Sequence, residues 1–189
     1  MIKELILKNR SYRRFQQNSL ITRDVLEELV DLGRISASAA NLQPLKYMLF
    51  NDPENAAAIF PHLAWAGYLK DWGGPKQGER PSAYIIMLCD KNIAPGVGCD
   101  HGIAAQSILL GASEKGLGGC MIGSIDRQGL RETLDISERY DIVLVLALGR
   151  PDEKVVLETA TSPDNVKYWR DAEGVHHVPK RPLKEIIIN

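Results

Sequence analysis

Asn9-Arg10-Ser11-Tyr12-Arg13-Arg14-Phe15 follows a short helical opening, Ile2 to Lys8, whose apolar side is Leu5 and Ile6. Arg10, Ser11, Arg13 and Arg14 crowd into one turn of chain, and an aromatic closes the run. Guanidinium groups present rigid forks of donors that match phosphate oxygens, and a neighbouring hydroxyl adds a contact of another kind. The stretch reads either as a phosphate clamp at a helix end or as a basic turn with solvated arginines. What lies downstream decides between them.

The chain of 189 residues suits one domain, residues 1–189, with a sizeable core. Its net charge of −1 gives no electrostatic case for nucleic acid or an anionic membrane surface as partner. The cysteines Cys89, Cys99 and Cys120 form no CxxC pair and no His-Cys cluster of zinc spacing, so no metal site is expected. An unpatterned odd set suits a reducing compartment. No signal peptide opens the chain and no apolar run reaches spanning length, so the expected location is cytoplasmic, off the membrane.

Outward from the basic run, Thr22 is a plausible N-cap. Val25, Leu26, Leu29, Val30 and Leu32 then recur at helical spacing, and the helix runs out near Ile35 into small residues ending at Asn41. Lys46 to Phe50 reads as a strand, and Glu54 to His62 as a short helix. Residues 65–80 fit no period and carry Trp65, Tyr68, Trp72 and several glycines, the marks of a loop or lid. Ala83 to Cys89 is continuously apolar, as a strand covered on both faces should be, with Cys89 a core thiol. Asp100 is placed to cap a helix from His101 to Lys115, stopped by Gly116 and apolar most of the way round. That helix is expected to be buried in a core or in a dimer interface. Asp141 to Gly149 is the clearest buried strand, and a polar tail follows to Asn165. The apolar end, Leu183 and Ile186-Ile187-Ile188, is expected to seek a partner surface such as a sheet edge of another subunit.

The glycines from Gly116 to Gly123 do not form a dinucleotide fingerprint, because the helix precedes them. Gly96-Val97-Gly98 lies between strand and helix but has His101 where the third glycine belongs, and there is no P-loop. What remains is backbone against which a flat ligand could lie, or else tight helix-to-strand packing. His176-His177 would point to opposite faces of a strand and so cannot easily share a metal; they read as ordinary surface histidines. Lys180-Arg181 is a second basic pair that could complete a phosphate site with Arg10, Ser11 and Arg13. No residue pattern points to a catalytic side-chain acid, base or nucleophile.

Taken in order, these pieces resemble the FMN-dependent nitroreductase family. Residues 9–15 match its R-R-S-x-R-x-F opening, residues 37–45 its P-S-x-x-N-x-Q-P-W stretch, Gly116-Leu117-Gly118 its G-L-G, and Lys180-Arg181 its C-terminal basic pair. Asn9 replaces the first arginine, Ala37 the proline and Leu45 the tryptophan, and Gly123 stands where many larger members carry glutamate. The resemblance implies an α+β fold with a central, mostly antiparallel sheet flanked by helices, in a homodimer with an exchanged C-terminal tail. It implies FMN as cofactor, held by Arg10, Ser11, Arg13, Lys180 and Arg181, with the backbone of Met121, Ile122 and Gly123 along the ring system. Ser38 and Asn41 would reach it from the other subunit. The implied activity is hydride transfer from NADH or NADPH through flavin N5 to a small acceptor such as a nitroaromatic, quinone or enone. The alternative is a non-catalytic FMN-binding protein for storage, sensing or exchange.

Overall fold

Strand β2 (Ala83–Asp90) is buried at all of its positions in the computed structural model, which describes residues 1–188. It lies between β1 (Leu45–Phe50) and β4 (Tyr140–Gly149), and β3 (Gly118–Ile122) closes the sheet in the order β1-β2-β4-β3, antiparallel at every step. Alternation across the pleat sorts the side chains into two layers. Ile85, Met87, Leu146 and Leu148 face one apolar cluster, whereas Tyr84, Ile86, Leu88, Val145 and Ala147 face the other.

The first layer is closed by α2 (Arg23–Arg34) and α4 (Asp100–Glu114), through Leu26, Leu29, Ala105 and Ile108. Thr22 caps α2 by accepting the Val25 amide at 3.4 Å. The second layer holds α3 (Pro53–Ile59) and α5 (Arg127–Thr133), through Ile59 and Leu130, with Trp65 beside them. The sequence expectation of a helix to His62 is corrected: the α-helix ends at Ile59 and a 3-10 turn runs from Phe60 to His62. Pro61 has no amide hydrogen to continue the ladder.

Helix α4 differs from expectation at its start. It begins at Asp100 with Cys99 as N-cap, and the Asp100 carboxylate turns aside to accept from Ser38 at 2.6 Å and the Ala39 amide at 3.0 Å. Within the chain, Ile103 is 42% exposed and Gln106 is exposed, while Ala104, Ala105, Ile108 and Leu109 are buried.

Beyond β4 the expected polar tail contains a strand, β5 (Val155–Thr159), parallel to β7 (His176–Lys180), with β6 (Trp169–Arg170) antiparallel on the far side. The β-branched Val155 and Val156 carried that signal, but the strand is only half-buried, which blunts its hydrophobic pattern. The apolar end also forms a short helix, α6 (Leu183–Ile186), in place of an extended tail. Its Leu183 and Ile186, and Ile187 and Ile188 after it, are exposed. The exchange of this tail between subunits is not visible in one chain.

The basic run is fixed by the sheet. After α1 (Ile2–Lys8), Ser11 bridges to Gly119 of β3, and the Tyr12 amide donates to the Gly119 carbonyl at 3.0 Å. The Gln16 amide donates to the Arg150 carbonyl at 2.8 Å, and Phe15 is completely buried between. Arginines 10, 13 and 14 are thus hung on a frame made by β3 and the end of β4.

Candidate functional site

Arg10, Ser11, Arg13 and Lys180 line one cavity of about 260 Å³, with Met121, Tyr168 and His176. The first three come from the segment strung along β3; Lys180 and His176 come from β7. Among the described residues, no carboxylate lines this cavity. Three cations in one recess without an acid repel one another, and an anionic ligand relieves that repulsion.

The arginines are held by backbone groups and rings. Arg10 donates to the Ile6 carbonyl, and its Nε is buried with no partner among the described residues. Burial pushes the Arg10 guanidinium below its ordinary range. Arg13 donates to the Ser11 carbonyl at 3.3 Å and lies 4.8 Å from the centre of the Tyr168 ring. Its Nη1 stands 3.2 Å from Nε2 of His176. Below, Glu153 accepts the backbone amides of Arg13 and Arg14 and pairs with Arg170 at 3.0 Å. That buried carboxylate therefore organises the backbone of the run and leaves the Arg13 side chain to the cavity, while Arg14 turns to Glu79 at 3.6 Å.

A second recess of about 210 Å³ shares Arg13, Met121 and Tyr168 with the first. Its floor is Cys120 to Ser124, and its far wall is Ala64 to Gly67, the start of the 65–80 loop. The two readings of the glycine run separate here. A Cβ on Gly119 would meet the Ala147 carbonyl oxygen at 2.8 Å and the Leu109 side chain at 2.6 Å, so that glycine serves packing. A Cβ on Gly123 would meet nothing within 4 Å, so backbone at that end of the floor is open to a flat ligand. Burial raises the Cys120 thiol above its ordinary range, which keeps it protonated.

The remaining expected residues lie elsewhere in the chain. Ser38 lines a separate cavity of about 410 Å³ between α2, β1 and α4, which shares no lining residue with the cation recess. Its hydroxyl donates to Asp100 and accepts the Gln43 amide at 3.0 Å. Asn41 is exposed and sits with Ala40 and Gln43 in left-handed backbone, a strained turn of the kind that clusters at ligand sites. Arg181 does not line the cation recess; it faces Glu185 at 3.9 Å.

His176 is corrected from surface histidine to buried wall of the cavity, at 1% exposure. Burial, then the charges of Arg13, Arg170 and His177, lowers it to about 4. His177 does point to the opposite face, as two successive strand residues must, and pairs there with Glu158 and Asp171. Those bonds raise it. Sequence reasoning also missed Tyr168, whose only signal was its place in the Lys167 to Arg170 run. Tyr168 packs on Tyr68 of the loop at 4.9 Å and on His176 at 5.2 Å.

The family model for the nitroreductase family matches residues 6–80 and 94–150, which include the basic run and the floor of the second recess. The chain belongs to the nitroreductase family. A Bacillus subtilis protein whose name proposes an NAD(P)H nitroreductase is 26% identical over 176 residues, 77% of this chain and 87% of its own. The fold is shared with an FMN-dependent nitroreductase from Clostridium difficile, at TM-score 0.65 and 22% identity over 82% of this chain and 89% of that one. It is shared also with a nitroreductase family protein from Streptococcus pneumoniae, at TM-score 0.69 and 17% identity over the whole of both chains. The α+β architecture with its antiparallel central sheet is that of the family.

Proposed function

We propose that the protein is an FMN-dependent oxidoreductase that carries hydride from NADH or NADPH to a small organic acceptor such as a nitroaromatic, quinone or enone. The observation that carries this reading is the recess where Arg10, Arg13 and Lys180 meet without a carboxylate, beside a second recess floored by residues 120–124 with open space at Gly123. The residues fit the cofactor: cations and the Ser11 hydroxyl suit a phosphate, a buried Arg10 Nε still wants an acceptor, and the adjoining floor suits a flat ring system. The family membership and the names of the relatives support the same assignment.

Bound FMN supplies the hydride chemistry, through N5 of its ring system. The chain supplies position and charge. Arg10, Ser11 and Lys180 hold the phosphate, and Arg181 joins them if the tail after β7 swings in. Arg13 sets a fixed positive charge beside Met121, where it favours negative charge on the ligand. Residues 121–123 form the floor, while Tyr168 and the start of the 65–80 loop narrow access from water. Ser38 and Asn41 act from a second copy in a homodimer, since within one chain they line or flank a different cavity. Exposed Ile103, Leu183 and Ile186 to Ile188 supply apolar surface for that dimer. A cytoplasmic setting, off nucleic acid and membranes, belongs to the same reading; no helix among the described residues is long and apolar enough to cross a membrane.

The test is the visible absorption spectrum of the purified protein before and after anaerobic addition of NADH or NADPH. A flavin spectrum that bleaches is expected. One that persists assigns the protein to flavin binding without turnover, and a protein that takes up no added FMN removes the reading altogether.

A further inference from the structure

We infer that His176 is a ligand-contacting residue of the cation recess, which receives a proton donor bond from Arg13 on one ring nitrogen and donates to an oxygen of bound FMN from the other. This rests on the functional reading above. An arginine side chain can only donate, so the 3.2 Å approach of Arg13 Nη1 makes His176 Nε2 an acceptor. A neutral imidazole has one acceptor nitrogen and one N–H, and the proton is therefore on Nδ1. That Nδ1 is buried and has no partner among the described residues, in a side chain that is 1% exposed and lines the recess. A buried donor without an acceptor is costly, and such groups are rarely left so in native proteins. The unpaired Arg10 Nε belongs to the same wall. Two buried, unpaired donors on residues that line one recess without an acid would both be satisfied by one ligand rich in oxygen.

The ring is kept neutral by what surrounds it. Arg13 approaches from the basic run, Arg170 from β6 and His177 from its own strand, and each disfavours a second proton. Arg170 is itself paired with Glu153, and among the described residues no carboxylate bonds to His176. Tyr168 packs against the ring at 5.2 Å and lies under Arg13, which fixes the plane of the imidazole between them. The residue thus does two jobs: it orients Arg13 and it presents one N–H of fixed tautomer.

The two jobs separate by substitution. His176→Gln keeps an acceptor within reach of Arg13 but no donor at the Nδ1 position. His176→Asn keeps an amide N–H near the Nδ1 position and loses the reach to Arg13. FMN affinity is read by quenching of its fluorescence, with melting of the ligand-free variants as the check on folding. Loss of one hydrogen bond to a charged group weakens binding about ten- to a hundredfold. That loss is expected for His176→Gln, with His176→Asn closer to wild type. In the wild-type protein, ¹⁵N NMR of the imidazole at neutral pH should show the proton on Nδ1, and its signal should move when FMN is added. A proton on Nε2, or a folded His176→Gln that binds FMN as wild type does, overturns the assignment while leaving the functional reading intact. A wild-type protein that binds no FMN removes both.

Discussion

The central sheet buries β2 at every position between two apolar layers, whereas the C-terminal sheet of β5, β7 and β6 is half-exposed and bound by charge. Its ties are Glu153 with Arg170, His177 with Glu158 and Asp171, and Trp169 stacked on His177 at 4.0 Å. Apolar burial is indifferent to pH, but ion pairs between partly buried groups are not. Part of the recess hangs on the second kind of structure, because His176, Val178 and Lys180 lie on β7 and Tyr168 directly precedes β6. The difference teaches that the site can loosen while the core stays folded.

The largest effect expected is one that erases the contrast. Phe15 is fully buried where the basic run crosses the end of β4, bridged to Pro151 just before the C-terminal sheet begins. Phe15→Ala should cost about 3–5 kcal/mol by lost burial and the cavity left behind. Chemical denaturation followed by tryptophan fluorescence checks it. Because Phe15 ties the end of β4 to the segment that leads into the C-terminal sheet, both should melt together; a loss confined to one would break the comparison.

How much of this was legible follows from the same contrast. Continuous apolarity at residues 83–89 and 142–149 announced two buried central strands, because burial on both faces leaves little room for polar residues. The gathering of Arg10, Arg13 and Lys180 in one recess could be anticipated only by taking the two basic stretches together, since charge alone does not tell a pocket from a solvated turn. Strand β5 and the burial of His176 were not legible. Their environment is set by Glu153, Arg170 and Tyr168, partners distant in sequence or silent in pattern. Asp100 looked like a cap because local rules favour that, but a tertiary partner, Ser38, took its carboxylate.

A smaller effect should sharpen the contrast. The Glu153 side chain is 1% exposed and that of Arg170 is 11% exposed. Glu153→Ala leaves Arg170 uncompensated and frees the Arg13 and Arg14 amides. The expected cost is about 3 kcal/mol. Hydrogen exchange should show it falling on residues 151–180, with the amides of β2 and β4 still protected. Loss of protection throughout β2 would mean that the two sheets are one cooperative unit.

Smaller again is the difference between the two basic residues after β7. Lys180 lines the recess and Arg181 does not. Lys180→Ala should weaken FMN binding about tenfold or more, as the loss of a charged contact does. Arg181→Ala should weaken it less. The titrations that measure this also test the swing of Arg181 toward the phosphate: equal losses would place it there.

The smallest effect is the dependence on pH, and the two adjacent histidines give it opposite signs. His176 is pushed down from 6.5 to about 4, first by burial and then by Arg13, Arg170 and His177. The unfolded chain therefore binds a proton that the folded chain refuses, and stability is lost as pH falls from about 6.5 to about 4. His177 is raised, first by its bond to Asp171 and then by that to Glu158. Its contribution is fully present below its unfolded value and is lost as pH rises through its folded one. Asp171 is lowered by that bond, and its contribution is present above the ordinary carboxylate range and lost as pH falls through the folded value. The C-terminal sheet should thus be most stable in a window near the ordinary histidine range, while the central sheet is flat across it. His177→Phe should keep the stack on Trp169 and remove the loss on the alkaline side. Melting temperatures of the ligand-free protein at a series of pH values, with and without that substitution, measure both limbs. An alkaline limb that survives His177→Phe would show that the ties of this sheet are not the charged pairs named for it.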